Sequence, residues 1–159
     1  MSKKSASGLA SHSQVAALPY RIVGSGSAVH VLLVTSQSTG QWIIPKGWPM
    51  KGQKNYRTAE REAFEEAGIE GRIGKRSIGS YLYFKRRTQS FDLVRVHVYP
   101  LHVKKIRDSW PEQDKRKRAW FPLHRAADLV GDPNLGEIVV GLTPPFDRRV
   151  RKPGDGRPR

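Results

Sequence analysis

The chain has 159 residues, a length suited to one domain at about 100–200 residues per domain. With 37% hydrophobic and 27% charged residues it can bury a real core, which excludes a wholly disordered chain. The absence of cysteine excludes disulfides, thiol catalysis and Cys-ligated metal sites, and 29 Lys plus Arg against 14 Asp plus Glu, a net charge of +15, points to polyanionic partners: nucleic acid, phosphorylated small molecules or acidic lipid.

Residues 1–14 are small and polar and read as a disordered tail without the apolar core of a signal segment. No apolar run approaches the about 20 residues needed to span a bilayer, so a soluble, cytoplasmic protein is expected. Ala16 to Val23 and Ala28 to Thr35 form two strands around the turn-rich Gly24-Ser25-Gly26-Ser27. The run Val29, Val31, Leu32, Leu33, Val34 fits a central strand covered on both faces. Gln41-Trp42-Ile43-Ile44 is a short strand stopped by Pro45, and a Gly/Pro/Lys loop follows. Asn55 to Ala67 is a helix rich in Ala, Glu and Arg, ending at Gly68 as C-cap, with Phe64 as its anchor in the core. Further strands are expected at Ile78 to Phe84 and Phe91 to Val103. Segment 104–118 is a charged loop, Ala119-Trp120-Phe121 a short strand, and 124–130 and 134–141 short helices. Residues 143–159, rich in Pro and Arg, form a basic tail, which leaves 15–142 as the domain. Strands, a helix and strands again give an α/β class: a mixed β-sheet sandwiched between helices.

The chemistry is concentrated in Arg61-Glu62-Ala63-Phe64-Glu65-Glu66-Ala67-Gly68-Ile69. A helix turns about 100° per residue, so Glu62, Glu65 and Glu66, at i, i+3 and i+4, share one face. Like charges so spaced repel. A hard divalent cation compensates well, because it prefers carboxylate oxygens and bridges to phosphates. The alternative is a solvated acidic face, but these acids sit in a basic chain directly after a glycine-bearing loop with Lys46, Lys51 and Lys54.

Gly47, five residues, Gln53, seven residues, then the Arg61 to Ile69 run resembles the Nudix box, with the spacing matched over 23 positions. Trp42-Ile43-Ile44-Pro45-Lys46-Gly47 and Arg118-Ala119-Trp120-Phe121 resemble the flanks of that family, so the likeness covers residues 15–142. The resemblance implies the Nudix fold, α/β/α, and metal-dependent hydrolysis of a pyrophosphate joined to another moiety. It implies Mg²⁺ or Mn²⁺ held by Glu62, Glu65, Glu66 and Gly47, with Glu65, Arg61 and Glu112 as catalytic residues; Arg61 would orient a glutamate through a bidentate contact. One position departs from the box: Gln53 stands where the family has glutamate, and it carries no charge.

Three basic clusters suit a ligand with many phosphates. Arg21, Lys46, Lys85, Arg86, Arg87, Arg116 and Arg118 are the candidate substrate-binding residues. This layout is most similar to the diphosphoinositol polyphosphate phosphohydrolase branch, which implies an inositol pyrophosphate or a diadenosine polyphosphate as substrate. A nucleotide-directed or RNA 5′-end hydrolase stays open, with a base-stacking platform among Trp48, Tyr56, Tyr81, Tyr83 and Phe84. So does a nucleic-acid or polyphosphate-binding module that kept the fold. A polyphosphorylated small molecule is the expected partner, with nucleic acid not favoured and no membrane.

Overall fold

The computed structural model describes residues 12–25 and 28–142; the expected basic tail and most of the expected N-terminal one lie outside them. In chain order the elements are β1 (His12–Val23), β2 (Ala28–Thr35), β3 (Trp42–Ile43), β4 (Lys46–Gly47), α1 (Asn55–Ala67), β5 (Ile69–Ile73), β6 (Gly79–Arg86), β7 (Phe91–Ile106), β8 (Arg118–Pro122), α2 (Leu123–Val130) and α3 (Pro133–Val140). All strands join one sheet whose main path runs β3-β2-β1-β7-β5; β4 pairs with β1, β6 with β7 and β8 with β2. The β1–β7 pair is parallel and the others antiparallel, which makes the sheet mixed.

Val15 to Leu18 are fully buried on both faces of β1, as a central strand between two layers requires. One layer is α2 with α3, packed on Ala16, Leu18, Val31, Leu33, Val94, Val96 and Val98. The other is α1, which presents Ala59, Ala63 and Ala67, all fully buried, to Val15, Ala17, Leu32, Val34 and Leu101. The small side chains bring the helix backbone close to the sheet. They, and not the half-buried Phe64, are its anchor.

Several boundaries differ from the sequence reading. Pairing with β7 draws His12, Ser13 and Gln14 into β1, so these three are strand rather than tail. β4 forms within the expected loop, and β7 continues to Ile106. β5 gave no periodic signal: Ile69-Glu70-Gly71-Arg72-Ile73 is short and carries a register shift at Gly71. A Cβ there would lie 1.9 Å from the His102 carbonyl oxygen, so only glycine permits this close approach.

The C-terminal end of α1 is unusually well satisfied. A helix leaves its last carbonyls without intrahelical partners. Here Gly68, in the left-handed region at φ 68°, returns its N–H to Phe64 O at 2.9 Å. The segment after β7 supplies the rest. Glu112 N donates to Glu65 O at 3.0 Å, Trp110 Nε1 to Glu66 O at 3.2 Å, Arg118 Nη1 to Ala67 O at 2.7 Å and Arg107 N to Gly68 O at 2.8 Å. The Arg118 guanidinium, 3.7 Å from the Trp110 ring centre, also donates to Arg107 O at 2.7 Å.

Gly68→Ala is therefore expected to strain the left-handed backbone and to drive a Cβ to 2.6 Å from Trp110. The cost is about 1–3 kcal/mol, seen as a melting temperature lower by about 2–4 °C per kcal/mol. An unchanged thermal transition by circular dichroism would refute this account of the helix end.

Candidate active site

The acids of α1 stand near the negative end of its dipole, where a carboxylate is disfavoured. The helix does not treat the three alike. Glu66 is 5% exposed, and its Oε1 accepts from Lys46 N at 3.4 Å. Glu62, half-buried, lies against Gly47, where a Cβ would come 2.4 Å from its carboxyl carbon. Gly47 thus makes room for this acid. Glu62 and Glu66 are close enough for the Glu62 carboxyl to disfavour ionisation of the Glu66 site. Burial, helped by the charge of Glu62, lifts the Glu66 carboxyl to about 8, against the pull of Arg116. Burial raises Glu62 as well. Glu65 instead turns outward and accepts from Arg61 Nε at 2.9 Å. Arg61 makes this single exposed i,i+4 contact rather than the expected bidentate one.

The loop that closes the helix end brings in the remaining charges. Arg116, with a side chain 12% exposed, donates through Nε to Glu112 Oε1 at 2.7 Å and through Nη1 to Thr35 O at 3.0 Å. Its Nη2 stands 3.6 Å from Glu66 Oε2. Among the described residues no three His, Cys, Asp or Glu side chains are drawn together tightly enough to chelate an ion as they stand. The expected three-glutamate cluster is thus reduced to Glu62 and Glu66, with Glu112 across the Arg116 guanidinium. These residues fit a hard divalent cation. The donors are all oxygen, a glycine leaves the space beside Glu62, and the buried Glu66 carboxyl has its ionisation disfavoured despite Arg116 at 3.6 Å.

A cavity of about 1210 Å³ opens beside this pair. Lys46, Lys85, Arg86, Arg87 and Arg116 all line it, as the sequence reading expected of substrate-binding residues. Burial lowers the pKa of Lys46, whose Nζ lies 4.7 Å from the centre of the Tyr83 ring. Arg87 is paired with Asp92. Two expected members lie elsewhere. Arg21 stacks 4.1 Å over Trp120, on the α1 side of the sheet and outside the cavity. Arg118 holds the α1 carboxyl end, because its fork meets two backbone carbonyls. Of the aromatic group, Tyr81 is core and Tyr83 lies beneath Lys46 with its hydroxyl donating to Gln14.

Other features lie beyond the sequence reading. The uncharged side of the cavity, with Ser36 to Thr39, Gln41, Trp42 and the α2–α3 junction, is one; its signal was the turn-rich Ser36-Gln37-Ser38-Thr39-Gly40 run. The Trp110 contact is another, and it had no local signal. Gln53, the departure from the box, accepts from Thr58 Oγ1 at 2.8 Å at the start of α1. A neutral amide oxygen has the lone pairs to accept this bond.

The sequence profile of the NUDIX domain matches residues 12–140. The chain belongs to the NUDIX family. It is 35% identical over 128 residues to Nudix hydrolase 21, chloroplastic, of Arabidopsis thaliana, covering 79% of this chain and 63% of that protein. It is also 35% identical over 103 residues to diphosphoinositol polyphosphate phosphohydrolase 3-beta of Bos taurus, covering 63% of this chain and 59% of the relative. The chain thus spans less than two thirds of the length of both relatives. Among solved structures, the C. elegans Ap4A hydrolase superposes with a TM-score of 0.57 at 19% identity, over 81% of this chain and 93% of that one. The NUDIX domain of Shewanella oneidensis NrtR, complexed with ADP ribose, gives 0.56 at 15% identity over 87% and 95%. At such identities the likeness is one of fold. This NUDIX domain has the α/β/α sandwich expected of it, and among the described residues no helix is long and apolar enough to cross a membrane.

Because a side chain at position 47 would overlap Glu62, Gly47→Ala displaces that carboxylate. Titration calorimetry with Mn²⁺ is expected to show affinity weakened by about 10–100-fold, in the range seen when ligand-orienting residues are lost, while the circular dichroism spectrum stays that of the native fold. Equal affinity would remove Glu62 from the metal site.

Proposed function

We propose that this NUDIX domain is a divalent-metal-dependent pyrophosphohydrolase acting on a highly phosphorylated small molecule. The observation that carries the reading is the buried Glu66, with Glu62 beside it, opening on a cavity whose charged wall is entirely basic apart from Glu66 and Asp132. Glu62 and Glu66, beside the Gly47 backbone, would hold Mg²⁺ or Mn²⁺. Such an ion, when bound, neutralises phosphate oxygens and acidifies water. The chain's own residues do the remainder. Lys46, Lys85, Arg86 and Arg87 bind and orient the phosphate chain, each donor meeting its own oxygen. Burial keeps Lys46 short of water, which strengthens its attraction for a phosphate. Glu112 is the carboxylate we assign to take the proton of the attacking water, since it stands across Arg116 from Glu66 while Glu65 lies on the outer helix face. Arg116 holds Glu112 in place from its anchor on the Thr35 carbonyl.

As substrate we propose an inositol pyrophosphate or a diadenosine polyphosphate. The dense cationic wall and the identity to a diphosphoinositol polyphosphate phosphohydrolase support this. A nucleoside-diphosphate substrate is the second reading, favoured by the uncharged end of the cavity around Gln41 and Trp42. For location the proposal is the cytoplasm.

With Mg²⁺ or Mn²⁺, phosphate release from either proposed substrate is expected. Capped RNA and nucleoside diphosphate sugars run beside them decide the matter: turnover of these alone rejects the substrate assignment. Glu66→Gln should reduce turnover to background with the fold intact, and a retained rate would place the metal elsewhere. Lys85→Gln should raise KM by about 10–100-fold, the loss of one charge-assisted contact, with a smaller change in kcat.

A further inference from the structure

The β6–β7 hairpin has two sides with different occupants. Its register pairs Tyr83 with Val94, Phe84 with Leu93 and Arg86 with Phe91. Tyr81, Tyr83, Val94 and Val96 face the α2–α3 layer. Alternation therefore sends Leu82, Phe84, Arg86, Phe91, Leu93 and Arg95 to the opposite side. That is the side α1 covers further along the sheet. The α1 cluster takes Tyr99 and Leu101 from β7 but no residue from 91–97. The face is open towards the hairpin tip, where Phe84, Arg86 and Phe91 are exposed, while Leu82, Leu93, Arg95 and His97 are half-buried.

What it displays is unusual for an open face. Phe84 is 68% exposed and Phe91 58% exposed. Their rings meet edge to face, with centroids 6.2 Å apart. The Arg86 guanidinium lies 5.6 Å from the Phe91 ring centre, and Arg95 donates to Ser80 Oγ at 3.0 Å. No acidic residue projects on this side of the hairpin: Asp92 points the other way and is taken by Arg87.

We infer that this outer face of the β6–β7 hairpin is a binding platform for single-stranded nucleic acid. Exposed aromatic rings on a sheet offer π-faces to unpaired bases, and neighbouring arginines meet the phosphates. From Phe91 to His97 the face runs about 20 Å at about 3.3 Å per residue, enough for the two or three bases that such sheet faces stack. The charge argues for this occupant over an apolar protein segment. Two arginines without a local acid, on a chain of net charge +15, would leave an uncharged partner facing unneutralised cations. A duplex hides its base faces and gains nothing from the phenylalanines. The platform meets the cavity at its rim, where Phe84 and Arg86 also line it, but it reaches away along Phe91, Leu93 and Arg95, and binding there does not depend on hydrolysis.

The test is fluorescence anisotropy of a short labelled single-stranded RNA, titrated with the full chain in EDTA at several salt concentrations. Wild type should bind the single strand more tightly than the duplex of the same sequence. Replacing both rings, Phe84→Ser with Phe91→Ser, should weaken single-strand binding by about 10-fold or more while keeping the salt slope. Arg95→Gln should lower that slope by about 1. Phe84→Ser alone gives a partial loss and serves if the double variant does not fold. Equal affinity of the ring variants, or competition by inorganic polyphosphate or duplex as strong as by single strand, overturns the inference, because charge alone would explain it. Ring-dependent capture on phosphatidylserine vesicles without ring-dependent RNA binding overturns it too, in favour of a membrane.

Discussion

The candidate site depends on how one helix end is closed. Four carbonyls from Glu65 to Gly68 receive donors from the segment after β7 and from Arg118 at the start of β8, and Phe64 O receives the Gly68 amide. Unpaired carbonyls would each carry a desolvation cost of about 1–3 kcal/mol if buried without partners. The same bonds fix where the segment lies. Glu112 is carried on a backbone amide that donates to Glu65 O, and Arg116 follows one helical step later. Satisfying the backbone and delivering the second half of the site are one event.

That closure sets up a conflict among charges. Glu62 and Glu66 are drawn to the negative end of a helix, out of water, and next to each other. Burial disfavours their charged forms, and Arg116 compensates Glu66 only in part from 3.6 Å. Such frustration is costly to stability and persists where it serves a function. The basic wall across the cavity has the opposite excess. Neither side is neutral alone, and the proposed cation and polyphosphate chain would together balance both.

The helix and its acids were legible because a 3.6-residue period needs only local sequence. The matched box spacing pointed to the family for the same reason. What was illegible is what depends on distant partners. Arg118 reads as one more cation in a basic run, yet it meets backbone carbonyls and the Trp110 ring. Arg21 likewise stacks on Trp120 rather than facing a ligand. Glu65 shares the periodicity of its neighbours, but an i,i+4 arginine takes it outward. β5 is a strand only because Gly71 lets the His102 carbonyl approach. In each case the residue type was visible and the direction of its side chain was not.

The parallel pairing of β1 with β7 has a consequence for how the protein is made. His12 and Val94 are neighbours in the sheet but lie about 80 residues apart in the chain, and pairings of such span form late and slowly. On the ribosome, β1 must wait with one long edge open, and the acidic helix with its end uncapped, until Arg118 has emerged. The helix end and the segment that closes it thus come together only after Arg118 has emerged, and a nascent chain stopped before that point would present an adhesive strand edge and call for chaperone protection.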